Sequence, residues 1–502
     1  MKKLFINNRG EIAVRVIRAA QELGIGTVLG ASEADAHSQA AQLADEVAIL
    51  GAPEPAQSYL RMDGVVQAAL DHGCDALHPG YGFLSERAEF AALCAEAGIT
   101  FVGPSPEAMR KLGGKIDAKS LAVSCGVPVT PGHFAPGATD QELKDAADRI
   151  GYPVMLKASA GGGGRGMRVV LEPAEFDSAL HLAREESERA FGDGAMMLEK
   201  LVLRPRHIEV QVLADLHGNV AALFERECSL QRRHQKVVEE APSPVVDEAL
   251  WHRLRSAAVS LVRAAGYTNA GTVEFILDPV SRDFYFLEVN ARLQVEHPVT
   301  ELITGVDLVQ WQLRIARGER LDLPAALMEG DRTAVRGHAM EARLLAEDPA
   351  RGFLPSVGRL VGWAPAQGPG IRFDTGFGAG DEVSRYYDSM LAKLIVHAGS
   401  RAEATRRLDA ALADTHILGV RTNIAYLRDV LAHPDFAAFD FDTGWLGRAF
   451  GEWQGSDEIP AELGAIAGAA KVGGSGPARA ATADRAEPAP AWALADGWKN
   501  LR

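Results

Sequence analysis

Cysteine is scarce in this 502-residue chain: only Cys74, Cys94, Cys125 and Cys228 occur, and no two form a C-x-x-C pair. A disulfide framework and the common zinc spacings are therefore excluded. Net positive charge is also lacking. The 52 Lys and Arg against 67 Asp and Glu leave a formal charge of −15, which argues against a nucleic-acid binder and leaves room only for a local basic patch. No apolar run approaches the ~18 residues of a membrane span, and the first residues run into a strand-like segment without a signal-peptide pattern. A cytoplasmic protein with no membrane partner is expected. The hydrophobic fraction of 47% and charged fraction of 24% are ordinary for a globular protein, and the length allows about three domains.

Within that frame, Lys2–Asn7 reads as a strand and Glu11–Leu23 as a helix with Ile12, Val16, Ala20 and Leu23 on one face, stopped by Gly24. Strand-like runs follow at Gly26–Ala31, Glu46–Leu50, Asp75–His78 and Thr100–Val102, separated by helical stretches, which predicts a doubly wound α/β domain. From about Gly114 to Leu203 a smaller unit carries a glycine-rich segment, and a long α+β stretch continues to about Phe450. Beyond it the composition turns to Ala, Gly and Pro, as in a linker or loosely ordered tail.

The glycine segment reads VMLKASAGGGGRGMRVVLE. Gly161, Gly163 and Gly166 formally match G-x-G-x-x-G, but that dinucleotide fingerprint requires a following helix, whereas Met167–Leu171 is built of strand formers. The loop is expected to tip a hairpin whose backbone N–H groups approach an anion, with Lys157 and Arg165 adding positive charge. Downstream, VEFILDPVSRDFYFLEVNARLQVEHPVTE places Glu288, Asn290 and Arg292 on one face of a strand or its extension, with Glu274 on the partner strand. Two carboxylates and an amide oxygen there suit Mg²⁺. In ERECSLQRRHQKVVEEAP, the residues Arg232, Arg233, His234 and Lys236 read either as a solvated basic face or as a phosphate site. Cys228 has no identifiable base beside it and reads as a packed thiol.

These stretches, together with NRGEIA, HPGYGFLSE, RHIEVQVLAD, GHAMEARLLAEDP and YYDSMLAKLI, stand in the order found in biotin carboxylases of the ATP-grasp superfamily, and the resemblance covers residues 1 to about 446. It implies an N-terminal doubly wound domain (1–114), an ATP-grasp lid (115–203, with the glycine hairpin 161–166), an ATP-grasp core (204–334), a C-terminal biotin carboxylase domain (335–446) and a tail or linker (447–502). It also implies a ligase that uses ATP to activate bicarbonate as carboxyphosphate and carboxylates biotin on a carrier. By resemblance, Lys115, Lys157, His207, Gln231, His234 and Lys236 bind the nucleotide and its phosphates, and Gly163 and Gly164 lie in the lid that closes over it. Glu199, with the backbone of Lys200 and Val202, reads adenine. Glu274 and Glu288 hold Mg²⁺ or Mn²⁺ beside Asn290. Arg292, Gln294 and the Val295 N–H clamp bicarbonate, Glu296 is the general base, and Arg343 stabilises the biotin enolate. Leu345 and Arg87 depart from the usual Asn at their positions, and Leu201-Val202 from an aromatic followed by Leu.

No A-M-K-M biotinylation motif occurs. The biotinyl lysine is expected from a carrier protein, or from a carrier domain beyond a bridging region whose start PAWALADGWKNLR resembles. A carboxyltransferase subunit and a homodimer or larger carboxylase complex are the further expected partners. The alternatives are the carboxylase part of a pyruvate carboxylase, another ATP-grasp enzyme such as a carbamoyl-phosphate-forming one, and a scaffold subunit without turnover.

Overall fold

The N-terminal segments alternate strand and helix, so they form a parallel sheet covered on both faces. The computed structural model describes residues 1–135, 137–159 and 166–455. Gly163, Gly164, Arg165 and most of the expected tail lie outside the described residues. Strands β1 (Lys3–Ile6), β2 (Gly26–Ser32), β3 (Glu46–Gly51), β4 (Ala76–His78) and β5 (Thr100–Phe101) pair in the order β3-β2-β1-β4-β5, and every pairing is parallel. The helix Gly10–Glu22 buries Ile12, Val16, Ile17 and Ala20 against this sheet and ends before Gly24, whose φ of +68° is open to glycine at little cost. The doubly wound expectation holds for these residues.

A four-stranded antiparallel sheet follows: β6 (Gly132–His133), β7 (Val154–Ala158), β8 (Met167–Val170) and β9 (Met196–Lys200), in the order β6-β9-β7-β8. The segments flanking the glycine run are thus two antiparallel strands, registered Val154↔Val170 through Lys157↔Met167. That strand after the glycines removes the dinucleotide reading. The helices Asp140–Ile150 and Phe176–Phe191 close a separate small core of Leu143, Val154, Leu156, Phe176, Leu180 and Leu198.

The main body is an eight-stranded sheet. Its strands β10 (Arg206–Ala214), β11 (Val220–Arg232), β12 (Gln235–Ala241), β13 (Asn269–Leu277), β14 (Phe284–Asn290) and β15 (His338–Leu345) are joined by Ile371–Thr375 and Met390–Ala398. The order is β14-β13-β10-β11-β12-β15, then Met390–Ala398, then Ile371–Thr375. The sheet passes through residue 334 without a break, because β12 pairs with β15. Strands β10 and nearly all of β11 are buried on both faces, so their polar residues must be paired inside the protein. Arg226 shows how: its Nε donates to Glu209 at 2.6 Å and its Nη1 to Gln211 and Thr300, while Nη2 donates to Thr272. The tight turn between β11 and β12 places Arg233 and His234 at φ +51° and +65°, the geometry of a two-residue hairpin whose twist matches its strands.

One helix anchors this sheet from behind. Asp247 caps Glu248–Ala265 through the Leu250 N–H at 2.9 Å, and Leu250, Trp251, Leu254, Ala258, Leu261 and Val262 form the buried stripe. The Trp251 ring lies 5.2 Å from that of Phe224, and its Nε1–H donates to the Gly330 carbonyl at 2.7 Å. Trp251→Ala is expected to destabilise the protein by about 3–5 kcal/mol, read as a lower urea midpoint with an unchanged far-UV spectrum at low denaturant. A loss below ~1 kcal/mol would show that the surrounding core does not depend on this ring.

Candidate active site

Between the four-stranded sheet and the large sheet lies a cavity of about 580 Å³. Of the residues singled out from the sequence, Lys115, Lys157, Glu199, Lys200, Val202, His207, Gln231, His234, Lys236, Glu274, Glu288, Asn290, Arg292, Gln294, Val295 and Arg343 all line it. Glu296 sits in its floor, fully buried. The apolar end carries Met155, Met167, Met197, Leu201 and Ile276, so thioether and aliphatic side chains form the slot there.

At the centre is Lys236. Strands β10, β12 and β13 and the loop after β14 bring three carboxylates onto its ammonium: Glu209 at 2.5 Å, Glu296 at 2.6 Å and Glu274 at 3.0 Å. Burial opposes the charge on Lys236, but those acids outweigh it and raise its pKa well above the usual lysine value. Burial likewise opposes ionisation of Glu296, and Lys236, Arg343 and Arg226 hold it well below the ordinary carboxylate range. Glu209 was not anticipated as a site residue. A charge within a strand buried on both faces was its signal.

The candidate metal pair is set by register, since Glu274 stands directly opposite Glu288 on β13 and β14. Glu274 is held below its ordinary value: burial raises it, but Lys236 and His207, the latter at 3.0 Å, lower it further. Glu288 is raised, first by burial and then by the charge on Glu274, and no cationic side chain among the described residues lies within ion-pair distance of it. A hard divalent cation fits this donor set, because it would supply Glu288 with a counter-charge. Asn290 turns its Nδ2 to Glu274 at 2.7 Å while its Oδ1 accepts from Arg292 at 3.0 Å. Here it bridges a ligand candidate to the arginine.

Arg292 also donates to Gln294 Oε1 at 2.9 Å and to Glu86 at 2.8 Å. Glu86, in HPGYGFLSE, was missed as a site residue; it holds the guanidinium from the N-terminal sheet's side. Beneath the loop, Lys393 donates to the Val295 carbonyl at 2.9 Å. Arg343 reaches across to Glu239 (Nε at 2.7 Å) and Glu296 (Nη2 at 3.1 Å).

On the opposite wall Glu199 faces two lysines, Lys119 and Lys157, the latter at 2.6 Å. Burial raises its pKa, but both cations outweigh that and bring it down to about 2. Lys119 shares that acid with other lysines, so burial first and then Lys157 and Lys115 bring it to about 8, with Glu199 opposing. Lys200 turns its side chain away, to the carbonyls of Gly151 and Tyr152, and contributes backbone only.

The basic cluster divides. His234 and Lys236 face the cavity, whereas Arg232 pairs with Glu347 at 2.8 Å and stacks on Phe353. Arg87 is exposed beside Glu89. Beside Leu345, Asn423 holds the backbone of β15: its Oδ1 accepts from the Leu345 N–H and its Nδ2 donates to the Arg343 carbonyl, each at 2.9 Å. Cys228 is a buried thiol whose pKa burial drives well above the usual value, as expected of a packed residue.

The chain matches the family models "Biotin carboxylase, N-terminal domain" over residues 1–109, "Carbamoyl-phosphate synthase L chain, ATP binding domain" over 114–324 and "Biotin carboxylase C-terminal domain" over 341–448. It is 51% identical over 445 residues to the biotin carboxylase of Halalkalibacterium halodurans, covering 89% of this chain and 97% of that protein. It is 48% identical over 445 residues to the mitochondrial methylcrotonoyl-CoA carboxylase subunit alpha of Mus musculus, covering 88% of this chain and 61% of that subunit, so it spans under two thirds of that relative's length. The biotin carboxylase domain dimer of the Hydrogenobacter thermophilus 2-oxoglutarate carboxylase, solved with magnesium ADP, ADP and bicarbonate, superposes with a TM-score of 0.84 at 44% identity, covering 89% of this chain and 97% of that one.

The lysine–glutamate seat makes a pH prediction. A carboxyl depressed on folding contributes stability that is complete above its unfolded value of about 4.5 and is lost as pH falls toward about 2. Wild-type protein is therefore expected to exceed Glu199→Gln in urea midpoint near neutrality, with the gap narrowing as pH is lowered below about 4.5. A gap that stayed constant or widened on acidification would remove the carboxylate's charge as its cause.

Proposed function

Since the chain belongs to the biotin carboxylase family of ATP-grasp ligases, we propose that it catalyses the ATP- and Mg²⁺-dependent carboxylation of carrier-bound biotin by bicarbonate, the first half-reaction of a biotin-dependent acyl-CoA carboxylase. One observation carries the residue assignments: Glu296, a buried carboxylate, is gripped at once by Lys236 from the nucleotide side and Arg343 from the other.

In this reading the chain divides at the boundaries 1–114, 115–203, 204–334, 335–446 and 447–502. Lys115, Lys157, His207, Gln231, His234 and Lys236 take the triphosphate, Gly163 and Gly164 close over it, and Glu199 with the Lys200 and Val202 backbone meets adenine. Glu274 and Glu288, with Asn290 beside them, would hold Mg²⁺ or Mn²⁺, which would supply positive charge to the phosphate oxygens. Arg292, Gln294 and the Val295 N–H receive bicarbonate; Glu296 takes its proton, and the freed oxygen attacks the γ-phosphorus of ATP, breaking the bond to the β,γ-bridging oxygen and releasing ADP as carboxyphosphate forms.

The grip on Glu296 explains timing. While Lys236 and Arg343 both bond to it, the carboxylate is a poor base. A phosphate that draws Lys236 away and a biotin oxygen that draws Arg343 away each remove a positive charge, so the basicity of Glu296 rises as the substrates arrive. Arg343, with its permanent cation, then faces the negative charge that develops on the biotin ureido oxygen. A carrier, a carboxyltransferase and a homodimer or larger complex complete the carboxylase in this reading, which operates in the cytoplasm; among the described residues no helix is long and apolar enough to cross a membrane.

Two experiments test this. Glu274→Gln and Glu288→Gln are each expected to lower Mg²⁺-dependent ATP turnover by orders of magnitude with cooperative unfolding retained; near-normal turnover with unchanged Mg²⁺ dependence in both would remove the metal assignment. Glu296→Ala is expected to abolish both bicarbonate-dependent ATP cleavage and carboxybiotin formation. Arg343→Ala is expected to suppress carboxybiotin formation by ~10² or more while slow ATP cleavage persists. Equal loss of both activities in a folded Arg343→Ala protein would move this arginine to the phosphate or bicarbonate step.

A further inference from the structure

Behind Arg343 lies an acid that the proposed chemistry does not use. Glu341 precedes Arg343 by two residues on β15, so both side chains leave the same face of the sheet. Directly across from Glu341, on β12, stands Glu239; on the other side Arg343 is in register with Lys393 and Glu341 with Ile395. The opposite face of β15, through Met340, Ala342 and Leu344, is covered by apolar packing.

Glu341 is fully buried, and neither of its carboxyl oxygens meets a donor among the described residues; Glu239 Oε2 is equally unpartnered. Every nearby cation is engaged elsewhere. Lys393 points its ammonium to the Val295 carbonyl at 2.9 Å, Glu11 at 3.2 Å and Asp374 at 3.8 Å. Arg343 gives Nε and Nη2 to Glu239 Oε1 and Nη2 also to Glu296. A buried carboxylate with no donor is costly, and a second one across the strand pair adds repulsion. A proton removes both costs, since a protonated carboxyl gains an O–H that the free oxygen of its neighbour can accept.

We propose that Glu239 and Glu341 share one proton, with Glu341 donating to Glu239 Oε2, and that this acid pair is the seat that holds Arg343 in position for the biotin step. Glu341 is thereby a positioning residue. The inference rests on the biotin-facing role given to Arg343 above.

The electrostatics agree. Burial first, and then the charges on Glu239 and Glu296, raise the pKa of Glu341 well above the usual carboxylate value, against the opposing pull of Lys393 and Arg343. Glu239 is raised to about 7, chiefly by burial and with Arg343 opposing. His297, at the head of the helix packed on this face, is kept neutral by burial and by Lys393, Arg15 and Arg372. The groups titrate as a pair. As pH rises the shared proton is lost, two like charges face each other, and the seat is disturbed, so activity falls on the alkaline side.

The test compares wild type, Glu341→Gln, Glu341→Leu and Arg343→Ala in two assays, bicarbonate-dependent ATP cleavage without biotin and carboxybiotin formation. It adds infrared difference spectra taken across a pH titration. Glu341→Gln, permanently neutral and still a donor, is expected to form carboxybiotin within about threefold of wild type and to lose the alkaline decline that Glu341 causes. Glu341→Leu is expected to lose roughly tenfold or more in carboxybiotin formation with ATP cleavage retained. A protonated-carboxyl C=O band is expected in wild type near neutrality that is missing from Glu341→Gln, over and above the bands both proteins share from other buried acids such as Glu11. Absence of that band in wild type, a Glu341→Gln protein as impaired as Glu341→Leu, or parallel loss of both assays in a folded Glu341→Leu protein would each overturn the inference. If Glu341→Leu does not fold, the band and the Glu341→Gln pH profile decide. Parallel loss in Arg343→Ala would overturn the role of Arg343 itself, and the infrared band, which does not depend on that role, tells the two failures apart.

Discussion

The site depends on one ammonium that is mostly withdrawn from solvent. Lys236 brings Glu209, Glu274 and Glu296 within ion-pair reach, from three different segments of the chain. Without it, Glu209 would keep Arg226, Glu274 would keep His207 and Glu296 would keep Arg343, but each of three buried acids would lose a counter-charge. The surrounding sheet is built to keep those acids in place. The β10–β13 register sets Glu209 against Glu274, β13–β14 sets Glu274 against Glu288, and Arg226 ties Glu209 to the strands behind. A slip of one residue in any of these pairings would turn the carboxylates to the opposite face of the sheet.

A second ionic layer supports the first. Lys393 joins the Val295 carbonyl to Glu11 of the N-terminal helix and to Asp374 of the sheet's last strand, so the loop that presents Gln294 to Glu296 is braced from two sides. Glu86 does the same for Arg292. Cations and acids alternate through the floor of the cavity. In the proposed reaction, an incoming phosphate, bicarbonate or urea oxygen would take the place of some of these partners.

Patterns with a short range are legible in the chain itself. The helix after β1, the five parallel strands and the strand that follows the glycines are stated by periodicity and by strand formers in the sequence. The alternation of Glu288 and Asn290, and Glu274 on the preceding strand, was enough to bring Glu274 and Glu288 together, because a hairpin has little freedom in register. The basic cluster could not be resolved in this way. His234 and Lys236 turn toward the cavity and Arg232 turns to Glu347, a residue 115 positions away whose approach no local signal announces.

The sequence by itself determined the family, the reaction class and nearly all charged residues that line the cavity, because these are carried by contiguous motifs whose spacing survives reading in one dimension. Tertiary structure alone decided which charges face one another: that Lys236 serves three acids, that Glu86 and Lys393 hold the loop after β14, that Asn423 braces the end of β15, and that Glu341 has no donor among the described residues. The physical reason is that ionisation and hydrogen bonding depend on distances of a few ångströms between residues far apart in the chain. Those distances exist only after the strands have paired and water has been excluded.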